Sequence, residues 1–170
     1  YSFTERAEAA FLKSRYLCDD GRLEEALVLV NQSLALDGKA EQEIVRGRAL
    51  NLKARVLAGM ADMNAVMEVA EEARIWNHRH GEQQEEANSL RRLGEAQFKL
   101  KLAEEARVSY EKALALDKAL GLSGKVVEDL LGLAEVLPQD KKQAVLFRAR
   151  SAALGSGDRK LIKKVQARLP

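Results

Sequence analysis

Apolar residues recur at intervals of three and four along nearly the whole chain. Leu90, Leu93, Gln97/Phe98 and Leu100 mark one such stripe, and Ala106, Tyr110, Ala113 and Leu114 mark the next. This spacing puts side chains on one face of an α-helix. No strict apolar/polar alternation of the kind a strand needs interrupts it. Glycines and short polar stretches cut the pattern into nine predicted helices, at about 3–19, 22–37, 42–58, 62–78, 82–100, 103–119, 124–137, 140–154 and 158–169. The connections are short, so consecutive helices are antiparallel neighbours. Ser2-x-x-Glu5 and Asp140-x-x-Gln143 have the form of capping boxes. Gly38, Gly81, Gly121 and Gly155 follow the second helix of each pair, where a left-handed residue ends a helix. Gly21 and Gly59 fall in the turns inside pairs, and Pro138 serves in the last.

The pattern also repeats. "DDGRLEEALVLVNQSLALD" (19–37) and "KLKLAEEARVSYEKALALD" (99–117) align without a gap. They agree at Glu24/Glu104, Glu25/Glu105, Ala26/Ala106, Val28/Val108 and through Leu34–Asp37/Leu114–Asp117. An offset of eighty residues implies two periods of about forty. Stretches 49–76 and 130–154 have the same helix–turn–helix texture, which makes four units, at about 3–38, 42–80, 82–121 and 124–155. In three of them a small residue of the first helix precedes an alanine of the second by twelve: Ser14/Ala26, Gly94/Ala106 and Gly132/Ala144. Small side chains there let the helices approach, and larger ones would overpack. In unit two, Ala65 or Val66 takes this place. One pair cannot bury its apolar face alone, so pairs must stack.

These residues resemble the tetratricopeptide repeat family, whose units carry Leu-Gly in the first helix and Ala-x-x-x-aromatic in the second. Leu93-Gly94, Ala106, Tyr110 and Ala113 match best; Leu131-Gly132 matches in unit four, and Gly21, Glu24, Glu25 and Ala26 in unit one. Units of forty rather than thirty-four are similar to those of kinesin light chain and of bacterial regulator sensor domains. The resemblance implies an all-α fold: a right-handed superhelix of four helix pairs in a single domain spanning 1–170, with 158–169 as a capping helix.

Composition agrees with a helical globular chain: 46% of the 170 residues are apolar, 32% are charged, and only two are proline. A net charge of +2 points to no particular polyanion. Cys18 is the only cysteine, so no intrachain disulfide forms, which favours a reducing, cytoplasmic setting. No apolar run is long enough for a membrane span. The chain begins at Tyr1 rather than Met and is read as a segment of a longer protein.

Catalytic chemistry is sparse. His78 and His80 are two residues apart and diverge on a helix, which suits a cationic helix end better than a metal pair. Cys18 has no local histidine and reads as a small packing residue, and Trp76 as a packing residue. "GLSGKV" (121–126) lacks the spacing and preceding strand of a phosphate loop. The adjacent pairs Glu24-Glu25, Glu71-Glu72 and Glu104-Glu105 diverge and read as solvated faces. The last helix sets Leu161, Ile162, Val165 and Leu169 against five cations; it reads as a cap, with a membrane or nucleic-acid surface as the other reading. No cofactor, metal, nucleic acid or membrane is expected, and no enzymatic activity.

The resemblance further implies that a protein or peptide partner lies in a concave groove lined by the first helix of each unit. Carried onto this sequence, groove-facing positions are Glu8, Phe11, Arg15 and Asp19; Leu50, Asn51 and Ala54; Asn88, Arg91, Arg92, Glu95 and Lys99; and Asp129, Leu130 and Leu133. The expected partner-binding set is Arg15, Asp19, Asn51, Asn88, Arg91, Arg92, Glu95 and Lys99. Members that clamp chaperone tails need five polar residues, of which only Asn51 and Arg92 are matched, so that ligand is disfavoured. The functional expectation is a non-catalytic interaction scaffold; the alternative is the ligand- or peptide-sensing module of a larger regulator.

Overall fold

The computed structural model describes residues 2–169, and every regular element among them is a helix. In order these are α1 (Phe3–Asp19), α2 (Leu23–Asp37), α3 (Arg46–Gly59), α4 (Met63–Arg79), α5 (Gln83–Lys99), α6 (Ala103–Ala119), α7 (Ser123–Val136), α8 (Gln139–Ser156) and α9 (Arg159–Gln166). The chain divides after Arg92 into two compact units, and the division falls inside α5.

A step of twenty residues governs the turns. Gly21, Ala61, Gly81, Lys101 and Gly121 all take left-handed backbone, with φ between 61° and 80°. After each, the next N–H reaches back to the carbonyl five residues earlier: Arg22 to Leu17 (2.9 Å), Asp62 to Leu57 (3.1 Å), Glu82 to Asn77 (2.9 Å), Leu102 to Gln97 (2.8 Å) and Leu122 to Asp117 (2.9 Å). This is Schellman closure, which satisfies the last carbonyls of one helix and starts the next almost at once. Gly59 is not the left-handed residue of its turn; Ala61 is. Gly59 instead faces Leu23, whose Cδ2 lies 3.2 Å from where a methyl would project.

The step breaks twice. Gly38 is right-handed (φ −65°), so α2 does not close as expected. The chain continues through turns until the buried Asp37 carboxylate accepts from Val45 N–H (3.1 Å), and α3 begins at Arg46, four residues later than the sequence pattern predicts. The second break is at Pro138, which cannot continue a helix and holds Leu137 extended. Here α8 has no side-chain cap, so the Asp140–Gln143 box does not form, whereas the Ser2–Glu5 box does. Gly155 lies within α8, and Gly157 (φ 68°) takes the left-handed position instead.

Packing follows the twelve-residue rule where the twenty-residue step holds. Ser14, Ala26, Ala54, Val66 and Ala106 are buried, so Val66 rather than Ala65 fills the place in α4. Two buried serines join α1 to α2: Ser14 Oγ donates to the Ala26 carbonyl (2.7 Å) and Ser33 Oγ to the Ala7 carbonyl (2.8 Å). Beyond the proline break the rule fails. Ala144 is exposed, and Val145, Leu146, Ala149 and Ala153 face inward. Gly132 meets Tyr110 of α6 instead. A methyl at Gly132 would sit 2.5 Å from Tyr110 Cζ, and one at Gly94 would sit 3.1 Å from its Cε2, so the ring occupies a slot between two glycine backbones. Tyr110, Val127, Leu130, Val145 and Leu146 belong to the core of the second unit, and α9 adds Val165 to it. In the first unit Ala7, Phe11, Ala26, Val30, Val45 and Val56 form the core.

Candidate functional site

Residues forty apart occupy equivalent places on the odd-numbered helices, and burial fixes which of them face outward. Phe11, Asn51 and Arg91 form one such series, turned into the structure: Phe11 and Arg91 are each 6% exposed and Asn51 is half-buried. The series Glu8, Arg48, Asn88 and Arg15, Arg55 is more open. The sequence reading placed Leu50 and Ala54 in the groove, but both are buried, because they lie on the stripe of α3 that packs on neighbouring helices. Asp129, Leu130 and Leu133 of α7 are buried for the same reason, so the positions expected to face a groove in unit four are core. Arg48 and Arg55 were missed. Adding forty to Glu8 and Arg15 would have found them, had the longer loop before α3 not obscured the register.

The outward face of α1, α3 and the first part of α5 within the first unit is a set of charges paired across helices. Arg48 donates to both Glu8 oxygens (Nη2–Oε2 2.8 Å, Nη1–Oε1 3.3 Å). Arg55 pairs with Asp19. Both arginine side chains remain 41% exposed. Phe11 lies beneath two guanidinium groups, Arg48 at 5.2 Å and Arg15 at 5.9 Å from its ring centre. Arg15 is exposed. Cys18, half-buried, is held above the usual thiol range by burial, with Arg55 and Arg92 partly opposing and Asp19 adding to the shift. It is therefore a protonated thiol at neutral pH.

The two asparagines expected to hold a partner are occupied by the protein itself. Asn51 donates to the Glu85 carbonyl (2.9 Å) and carboxylate (2.7 Å), and its Oδ1 lies 2.7 Å from Ser89 Oγ, which accepts from buried Asn77 (3.2 Å). Asn88 accepts from Arg91 Nη1 (3.0 Å) and lies 3.4 Å from Glu85. These contacts stitch α3, α4 and α5 together. Arg92 and Glu95 are half-buried, and Lys99 is exposed; Glu95 and Lys99 belong to the second unit.

Two clefts flank Arg48 and Ile44. One, of about 530 Å³, is lined by Thr4, Glu5, Glu8, Ala9, Leu12, Ile44 and Arg48. The other, of about 560 Å³, includes Gly47, Trp76, Asn77, His80, Glu82 and Glu85. Trp76 stacks on His80 (4.0 Å) and lies under the Arg46 guanidinium (5.1 Å). His78 reaches Glu86 (3.1 Å). Among the described residues no three His, Cys, Asp or Glu side chains are grouped to hold a metal ion, and no helix is long and apolar enough to cross a membrane.

No family model matches the chain, and no curated protein matches it. Solved structures do. Aspartyl phosphate phosphatase F from Bacillus subtilis superposes with a TM-score of 0.87 at 14% identity, over 98% of this chain and 45% of its own. A Rap protein complexed with competence and sporulation factor gives 0.80 at 17%, over 95% of this chain and 52% of its own. A Podosopora anserina protein of nearly identical TPR-like repeats, described as a kinesin light chain, gives 0.61 at 17%, over 98% and 96%. The chain thus spans about half the length of the first two. Helix pairs on a forty-residue period, closed by left-handed turns and matched by these structures, make the fold an all-α superhelical repeat of the tetratricopeptide type.

Proposed function

We propose that the chain is a non-catalytic binding module that holds a peptide or partner segment on the outward face of α1, α3 and α5. The observation that carries this reading is the row of arginines, Arg15, Arg48 and Arg55, supported by Asp19 and Arg92, that stays open to solvent while paired or stacked. A half-exposed ion pair contributes little to stability, so its arginine can exchange a protein carboxylate for one on a ligand. Asn51, Asn88 and Arg91 then act behind this face, fixing the helices that present it. Glu95 and Lys99 are the corresponding candidates in the second unit.

A second reading is that the module senses its ligand on behalf of a larger regulator. A structural neighbour is complexed with competence and sporulation factor, and this chain spans about half of that protein. The test common to both is selection of binders from a peptide library, followed by titration against wild type and Arg15→Ala/Arg55→Ala. Affinity should fall by ~1–3 kcal/mol, with unchanged melting and stronger binding at low salt. Equal binding by wild type and the double variant would remove this face from consideration.

A further inference from the structure

We infer that the outer face of α8 is a docking surface for an anionic lipid bilayer. The region from Gln139 to Leu169 holds nine of the chain's 28 Lys and Arg but two of its 26 Asp and Glu, a net of +7. The whole chain carries +2, so everything before Gln139 is net −5. This asymmetry is hidden in the total charge. On α8 the inward face is Val145, Leu146, Ala149 and Ala153, and the outward face is not simply polar. Phe147 and Leu154, seven residues apart and so on one line, are each 53% exposed. Helical spacing sets Arg148 and Lys141 on one side of that line and Arg150 on the other, all exposed. The neighbouring α9 turns Lys160, Lys163 and Lys164 to solvent while Val165 is buried.

Phe147 and Leu154 lie in one line along a helix with cations on both sides, an arrangement that repeats along the axis instead of converging on a point. It suits a broad, negatively charged partner. Phosphates of nucleic acid would satisfy the cations but leave Phe147 and Leu154 exposed to water. A bilayer with acidic headgroups satisfies both: the cations meet the surface potential, and the two apolar side chains enter the headgroup–acyl boundary. The face would lie on a membrane, not span it, as no helix of the described residues is long and apolar enough to cross one.

The experiment is co-sedimentation with vesicles of phosphatidylcholine, with and without phosphatidylserine. Wild type should sediment only with the anionic vesicles, and raising salt from about 50 mM to about 500 mM should release it. Phe147→Glu should weaken partition about tenfold or more, and Arg148→Glu/Arg150→Glu should do the same by the electrostatic route. Val28→Glu, at an exposed apolar site on α2, should change nothing. Each variant must keep the far-ultraviolet spectrum of wild type, and the α8 pair gives two independent chances to meet that condition. Equal sedimentation with neutral vesicles, no sedimentation at low salt, or insensitivity to Phe147→Glu would overturn the proposal. So would duplex DNA binding that Arg148→Glu/Arg150→Glu abolishes and Phe147→Glu spares.

Discussion

Adding one methyl group at Gly132 tests the packing of the second unit. In an exposed helix interior, Gly→Ala stabilises by about 0.5–1 kcal/mol because alanine loses less backbone entropy on folding. At Gly132 the new Cβ would lie 2.5 Å from Tyr110 Cζ and 2.7 Å from Cδ1. Carbon atoms at rest sit about 3.5–4.0 Å apart, so the ring must retreat by about 1 Å. It cannot retreat freely, since its opposite edge packs on Gly94, where a methyl would lie 3.1–3.2 Å from the ring. Overpacking of this kind costs about 1–3 kcal/mol and outweighs the entropic gain. Gly132→Ala should therefore destabilise by about 1–2 kcal/mol in urea melts followed by circular dichroism. Gly155→Ala, with nothing within 4 Å, should stabilise by about 0.5 kcal/mol. Shortening the ring's side of the contact should relieve the clash. Tyr110→Leu is expected to destabilise alone, yet the double variant with Gly132→Ala should lose at least ~1 kcal/mol less than the sum of the two. If Gly132→Ala stabilises as Gly155→Ala does, the slot is not rigid and this account of unit packing is wrong.

Further outcomes follow from other contacts. Ala106→Leu, at a fully buried contact between α6 and its neighbours, should cost ~1–3 kcal/mol, whereas Ala115→Leu on the exposed side should cost little; equal melts would mean the α6 register is misplaced. Ala61 and Lys101 hold left-handed backbone without being glycine, so Ala61→Gly and Lys101→Gly should each leave stability unchanged or raise it by up to ~1 kcal/mol, while the same change at exposed Ala115 should lower it. Burial raises the Asp37 carboxyl above the ordinary range, and Glu43 adds to the shift against the N–H donors of Val45 and Arg46. The folded state then binds this proton more tightly than the unfolded chain does, so stability attributable to Asp37 is greatest at acid pH. It declines as pH rises from the unfolded value through the raised folded one. Asp37→Asn should remove that decline and be at least as stable as wild type at neutral pH; a steeper loss at neutral pH in the variant would show that the carboxylate is stabilised after all.

Periodicity of three and four made the helices legible, because burying one face is the same requirement in any helical context. The 19–37/99–117 match likewise exposed the forty-residue period. What remained hidden depended on two irregular connections. Nothing in "KAEQEIV" announces that Asp37 will cap α3 from eight residues away, so α3 was begun too early and its outward residues shifted from Arg48 and Arg55 to Leu50 and Ala54. Pro138 reads in the sequence as an ordinary turn, yet it ends α7 at Val136, holds Leu137 extended and leaves Val145, not Ala144, on the inward face of α8. Arg91 was visible as a cation but not as a buried one, since burial at its position is set by neighbouring helices. Charge on a helix reports exposure only when the register across helices is known.

The twenty-residue spacing of the left-handed turns bears on how this chain can change length. Inserting one residue within a helix would rotate everything after it by about 100° and turn buried positions outward. Removing residues 22–61 would join Gly21 directly to Asp62, and the new junction would retain a left-handed residue followed by a helix start. Copying the same stretch would be equally seamless. Slippage by one whole helix pair between two of these left-handed turns is thus silent at the junction, whereas slippage by almost any smaller step is not. A lineage carrying this sequence is free to vary its number of helix pairs far more readily than the length of any one of them.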